Sequence, residues 1–354
     1  MTIKQSSNLY SLQTLRFVMI FLIFIDHFLG GQTPPFNYFG EYCTAFFFIL
    51  SGFVISLRYD NKVLKTDFSH KAFFKKRISK IWPTHISLLL LALILSPSLP
   101  LFGGLGHAAK CVVNALLLQS WVPDSNFYWF GNAVAWFLSN MAFCYFLFPW
   151  ISRFISRSSA KTLCIAGIFV LAIYFSLASI VPQGRVNDLL FVFPPARLLD
   201  FVIGMLLCRL YIYLDAKNLT VRTSNILEIV AMVFSAAMMP LWYYAFPRQL
   251  ATASLFWVPC ALLILVFALT DKRPGIFGTL FHNKLLLWLG SISFEFFIVH
   301  WLVINLGQNW VTTVSRDIYA YWLMAVLAAV TIALAAGLHK AMPKVVDKMN
   351  NRGR

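Results

Sequence analysis

Ten apolar runs, each long enough to cross or nearly cross a bilayer, succeed one another along this 354-residue chain, at 13–30, 40–57, 82–97, 133–151, 162–181, 198–214, 226–246, 252–270, 286–306 and 319–339. A helix rises about 1.5 Å per residue and a hydrocarbon core is about 30 Å thick, so runs of this length read as membrane spans. In lipid each backbone N–H and C=O must be satisfied without water, which selects helices for such continuous runs. The chain is 60% hydrophobic and holds 35 phenylalanines, more apolar surface than a soluble core can hide. The expected fold is therefore all-α: a polytopic membrane bundle of about ten transmembrane helices, forming one domain over 1–354 with a short basic tail from about 341. No long polar stretch suggests a second, soluble domain. The run after "MTIKQSSNLYSLQTLR" is long and lacks a small-residue cleavage site, so it is expected to remain as the first membrane helix.

The net charge of +16 resolves into an orientation signal. With the N-terminus inside, 23 of the 29 Lys and Arg fall in inner segments and 5 in outer ones, Arg16 lying within the first run. So strong a bias places both termini in the cytoplasm. It also makes membrane lipids, or an anionic cytosolic ligand, the expected partners, and argues against nucleic acid. An eleventh span within 98–132 would reverse every later segment and collapse the split, so Lys110–Trp121 is read as a re-entrant or interfacial helix. "HKAFFKKRISKIWP" sets bases around Phe73, Phe74, Ile78 and Ile81 and reads as an amphipathic cytoplasmic helix running into the third span at Pro83. The six cysteines show no C-x-x-C or Cys/His spacing, so neither a disulfide framework nor a metal is expected.

The first run, "LRFVMIFLIFIDHFLGG", keeps three ionisable groups where lipid disfavours them: Arg16, Asp26 and His27. Arg16 and His27 are eleven residues apart, which on a helix is three turns and a rise of about 16 Å. They share a face, and that face is expected to line the bundle interior or a water-filled cavity, since each group costs on the order of 3 kcal/mol at mid-membrane. Taken alone, Arg16 also fits a snorkelling anchor and His27 a hydrogen-bonded interior histidine. Asp26 lies about 100° round the helix, so it either pairs with another helix or joins the chemistry.

At several points the chain resembles the acyltransferase-3 family of integral-membrane acyltransferases. Arg16 and His27 match its Arg, ten residues, His signature. "FFFILSGFVIS" (46–56) resembles its second helix, and "KKRISKIWP" (75–83) resembles the start of its third, with Lys80 where a second Arg is usual. "WFLSNMAFCYFLFPW", "PARLLDFVIGMLL" and "LGSISFEFFIVHW" follow in family order, so the resemblance covers the chain from Leu12 to about Trp301. One position departs: where the fourth span of relatives carries a carboxylate, Asn140, Met141 and Ala142 stand here, which leaves Glu41, Asp200, Glu228 and Glu295 as substitutes.

The resemblance implies transfer of an acetyl group from cytosolic acetyl-CoA to a sugar hydroxyl across the membrane. That implies His27 as general base, either attacking directly through the acceptor hydroxyl or by way of an acyl-histidine. It implies a supporting Arg16, and Arg77, Lys80 and Lys76 as cations for the donor's phosphates. Asp26, Glu41, Glu295 and His300 are candidate supporting or substrate-binding residues. The implied acceptor is a glycan or lipid-linked saccharide of a bacterial envelope, such as O-antigen, capsule or exopolysaccharide, met at the inner membrane. Succinyl-CoA is the alternative donor. The rival from another class is a transporter or flippase using the buried charges as a pathway; against it, no inverted repeats or paired broken helices are visible.

Overall fold

A computed structural model describes residues 9–30, 39–95, 104–214, 219–252, 254–311 and 316–351; among these every regular element is helical. The helices are α1 (Tyr10–Phe28), α2 (Phe39–Val63), α3 (His70–Leu95), α4 (Leu105–Ala115), α5 (Ser125–Tyr128), α6 (Trp136–Arg157), α7 (Ala160–Ile180), α8 (Pro194–Leu214), α9 (Val221–Ala245), α10 (Arg248–Ala251), α11 (Ser254–Thr270), α12 (Ile276–Phe281), α13 (Lys284–Ser291), α14 (Ser293–Val311) and α15 (Arg316–Asn351). Eight of the described helical stretches are long and apolar enough to cross a membrane, and nine if α13 and α14, bent by 68°, count as one. The tenth expected run is α8. It carries Arg197, Asp200 and Arg209, yet it packs along the buried length of α2.

The α2–α8 seam explains how a charged helix sits at the centre. A methyl group on Gly52 would strike the Phe201 carbonyl, and one on Gly204 the Ile49 carbonyl, so the two backbones touch directly. Small residues at a crossing give membrane helices the packing that hydrophobicity cannot supply in lipid. Arg197 falls just outside the 198–214 run read from the sequence; it stands instead inside α8, fully buried. Its guanidinium donates to Asp200 at 2.9 Å and to the carbonyls of Leu190 and Thr252, and Asp200 accepts from the Trp257 indole. Pairing of this kind is what makes buried charge tolerable. We expect Gly52→Ala to destabilise the fold by at least about 1–3 kcal/mol through overpacking, read as a lower thermal midpoint in detergent; an unchanged midpoint would contradict the close crossing.

The start of α1 is fixed from far along the chain. Asp271 accepts from the Ser11 and Tyr10 amides at 2.8 and 3.3 Å, capping helix donors that have no partner within the helix. Gln13 donates to the Leu287 carbonyl and Thr14 to that of Phe281, which lays α1 against α12 and α13. Gly290 meets the Gln13 backbone with no room for a side chain. The break after α13 follows two residues later, where a single straight span was expected.

Two other expectations are refined. The basic stretch and the third span form one helix, α3, continuous through Pro83. The region 98–132 holds only short helices in its described part, α4 being 11 residues, too short to cross. Trp82 and His85 tie α4 to α3, donating to or meeting the carbonyls of Ala115 and Asn114 at 2.8 and 2.9 Å. The stretch "GGQTPPFNYFGEY", expected from the charge bias to be an outer loop, lies mostly outside the described residues.

Candidate active site

Helical spacing brings five elements to one cavity of about 1130 Å³. From α1 come Arg16, Ile23 and His27, at separations of seven and four residues. Thr44, Ser51 and Arg58 descend α2 at seven-residue steps, and Ser293, Phe297, Trp301 and Asn305 climb α14 at four. Arg77 and Lys80 enter from α3, and Tyr145 with Trp136 from α6. Separations of four and seven residues keep side chains on one helix face, so the cavity wall is written into each helix as a stripe.

The cavity has two chemically distinct ends. Arg16 lies in the first half of α1, Arg58 near the end of α2, and Arg77 and Lys80 in the first half of α3. Tyr145 neighbours both Arg16 and Arg77, and Arg58 and Arg77 neighbour Lys80, so the four cations gather at one end. Among the described residues no carboxylate lines the cavity. Arg77 is held by aromatic faces, its guanidinium 4.6 Å from the Tyr59 ring centre and 5.8 Å from that of Tyr145. Its Nε has no hydrogen-bond partner among the described residues. Arg16 is exposed although it lies in the bundle, because its side chain faces this cavity. It likewise makes no hydrogen bond or ion pair among the described residues; Tyr145 and Glu295 are its ionisable neighbours.

About 16 Å further along α1, His27 lines the same cavity. Its Nδ1 lies 2.8 Å from Nε2 of His300, and the two rings are parallel within 4°. His300, singled out in the sequence only as a candidate supporting residue, is fully buried behind His27. Its Nδ1 meets the Phe297 carbonyl at 2.5 Å. The edge of Trp301 closes on the His27 ring at 5.1 Å. Beyond His27 the walls are Trp129, Phe130, Gly131, Leu306 and the glycines Gly30 and Gly40. This rim is braced by Tyr128, which donates to Asp188 at 2.5 Å, and Asp188 also pairs with Arg185 at 3.1 Å. Burial and the Asp188 carboxylate push the Tyr128 hydroxyl above its ordinary range, so it stays a donor.

Of the residues singled out in the sequence, Arg16, His27, Arg77 and Lys80 share the cavity, and His300 backs it. Lys76 does not line it; its side chain is exposed on α3. Asp26 is buried against the first turn of α2, where a methyl group on Gly40 would lie 2.9 Å from its Oδ2. Glu41 sits in that same turn, with Arg248 and Arg197 as its cationic neighbours. Glu295 meets His339 Nδ1 at 3.2 Å, and its other, buried oxygen has no partner among the described residues. None of the four acids weighed as substitutes for the missing fourth-span carboxylate lines the cavity. Glu228 instead caps α12, accepting from the Gly275 and Gly278 amides at 2.8 Å, and Asp200 is committed to Arg197. Asn140 donates to the Val192 carbonyl, away from the cavity. Arg58, Tyr145, Ser293 and Trp301 are lining residues that sequence reasoning did not single out. Arg58 was visible only as one of many inner charges.

Comparison with known proteins agrees with this architecture. The profile of a family described as an acyltransferase domain matches residues 9–339. Acyltransferase MdmB of Streptomyces mycarofaciens is 29% identical over 303 residues, covering 81% of this chain and 74% of its own. No solved structure matches.

Proposed function

This chain belongs to the acyltransferase-3 family, and on that premise we propose that it moves an acetyl group from cytosolic acetyl-CoA to a sugar hydroxyl of a bacterial envelope glycan. The observation that supports this reading is one cavity lined at one end by four cations and, among the described residues, no carboxylate, with an imidazole about 16 Å deeper. Four clustered cations, with Glu295 the carboxylate near Arg16, suit a polyanion inside a membrane bundle, and CoA is an elongated polyanion whose reactive thioester sits at the far tip of a thin arm. In this reading both termini face the cytoplasm of the inner membrane. The phosphates of the donor lie at Arg58, Arg77 and Lys80, and the arm passes Arg16 to bring the thioester to His27.

The acceptor approaches from the Trp129 end. His27 takes the hydroxyl proton, the oxygen attacks the thioester carbon, the C–S bond breaks, and the proton passes to the departing CoA sulfur. The products are the O-acetyl ester and free CoA thiol, with no redox step and no proton left over. Arg16, unpaired and beside the arm, orients the donor. Arg16→Lys keeps the charge and loses the planar fork; kcat/KM for the donor is expected to fall about tenfold or more, the worth of one charged hydrogen bond. Activity equal to wild type would remove the bidentate role.

The test is purified protein in lipid nanodiscs given acetyl-CoA or succinyl-CoA with and without a glycan acceptor. Thiol release that depends on the acceptor, with one acetyl mass added per hydroxyl, is the expected result. Preference for succinyl-CoA would change the donor; movement of the glycan without thiol release would replace the enzyme by a transporter.

A further inference from the structure

The two histidines are joined end to end, and the order of their protons can be worked out from what lies behind them. The Phe297 carbonyl only accepts, so Nδ1 of His300, 2.5 Å away, must carry a hydrogen and donate it. With one proton per ring, Nε2 of His300 is then a bare acceptor. Nδ1 of His27, 2.8 Å from that atom, must be the donor. That leaves Nε2 of His27 without a proton, on the ring that lines the cavity. Phe24, Phe296 and Phe297 ring His300 at centroid distances of 6.4, 6.2 and 5.9 Å, so among the described residues no other donor competes for its Nε2.

We propose that His300 is a positioning residue that fixes the tautomer of His27, holding its Nε2 bare and aimed into the cavity as the atom that receives the acceptor proton. The proposal rests on the acyl-transfer reading for its catalytic meaning, but the tautomer itself does not. A free imidazole favours a proton on Nε2, which would blunt a base facing the cavity; the donor–acceptor chain from Phe297 reverses that preference. This works as a carboxylate does behind the histidine of a hydrolase, where the wrong tautomer costs orders of magnitude in rate.

The chain also has a dead end, and that decides where the proton goes. A carbonyl cannot pass a proton on, so one taken up at Nε2 of His27 cannot leave through His300. It returns by the atom it entered, to the sulfur of the departing CoA thiolate. The imidazole acts first as base and then as acid, with the His27 Nδ1–H···His300 bond kept throughout.

The test is nitrogen-15 NMR of histidine-labelled protein in nanodiscs, with the His27 signals identified by their loss in His27→Gln. Wild type is expected to show His27 protonated at Nδ1 and bare at Nε2. In His300→Ala the proton is expected to shift toward Nε2 and kcat to fall by about 10² or more, with donor KM changed less than threefold. His300→Gln, whose side-chain carbonyl accepts from Nδ1, is expected to recover kcat to within about tenfold of wild type. A wild-type His27 protonated on Nε2 overturns the proposal, and so does His300→Ala with kcat within threefold of wild type. Should His300→Ala fail to fold, the wild-type spectrum and the Gln variant still decide. A bare Nε2 together with an active His27→Gln enzyme would uphold the tautomer and defeat the base assignment, which separates the two claims.

Discussion

Replacing His27 by Gln is expected to lower kcat for acyl transfer by about 10²–10⁴-fold, the range for losing a general base, while donor affinity stays within threefold. Gln is the sharper choice because its amide N–H₂ can still donate to Nε2 of His300, which avoids stranding a buried acceptor at a cost of about 1–3 kcal/mol. His27→Ala strands that acceptor and opens space beside Trp301, so it mixes lost chemistry with lost packing. A Gln variant within threefold of wild type in kcat removes His27 from the reaction. A large loss of kcat in the Gln variant with an intact thermal midpoint, and at least as large a loss in the Ala variant with a lowered one, is the result expected from a base.

The second large effect lies at the other end of the cavity. Arg58→Ala and Arg77→Ala are each expected to raise donor KM about tenfold or more, and the double variant on the order of a hundredfold, since a hydrogen bond to a charged group is worth about 1.5–3 kcal/mol. kcat at saturating donor should move little, because in the proposed pose these groups hold the phosphates far from the thioester. Of the two, Arg58→Ala is the cleaner variant. Arg77 also packs over Tyr59 and within 5.7 Å of the Phe73 ring centre, so its removal loosens α3 against α2. Lys76→Ala serves as control: its side chain is exposed and outside the cavity wall, and donor KM should stay within about twofold. If Lys76→Ala weakened the donor as much as Arg58→Ala, the anion site would lie on the surface of α3 and not in the cavity.

Much of this was legible before any coordinates, and what was not has physical causes. Hydropathy gave the spans because lipid imposes a length and forbids unpaired backbone. The Arg16–His27 face was readable from helix geometry alone. α8 was placed among the spans, but its embedded Arg197–Asp200 pair was not, since the partners that make it tolerable, the Leu190 and Thr252 carbonyls and the Trp257 indole, come from other elements. The choice between Lys76 and Arg77 was equally hidden. They stand four and three residues before Lys80, both permitted spacings for one face, and only the packing of Tyr59 and Tyr145 around Arg77 decides which turns inward. Arg58 was masked by the orientation argument, which counts charges without asking where they point. His300 was a motif position with no visible partner; its bond to a residue 273 positions away exists only once α14 lies against α1. The break before α14 had a faint sign in Gly290, but what demands a glycine there is the Gln13 backbone, which no local pattern contains.

The central claim is that one continuous cavity carries the donor from the cation cluster to the imidazole. Its most direct test is a cryo-electron microscopy structure with a thioether analogue of acetyl-CoA, which binds and cannot transfer. The account predicts phosphate density against Arg58, Arg77 and Lys80, the arm beside Arg16, and the thioether sulfur at Nε2 of His27. Phosphates bound anywhere else on the protein, or an arm that never enters the space between α1, α2 and α14, would contradict it.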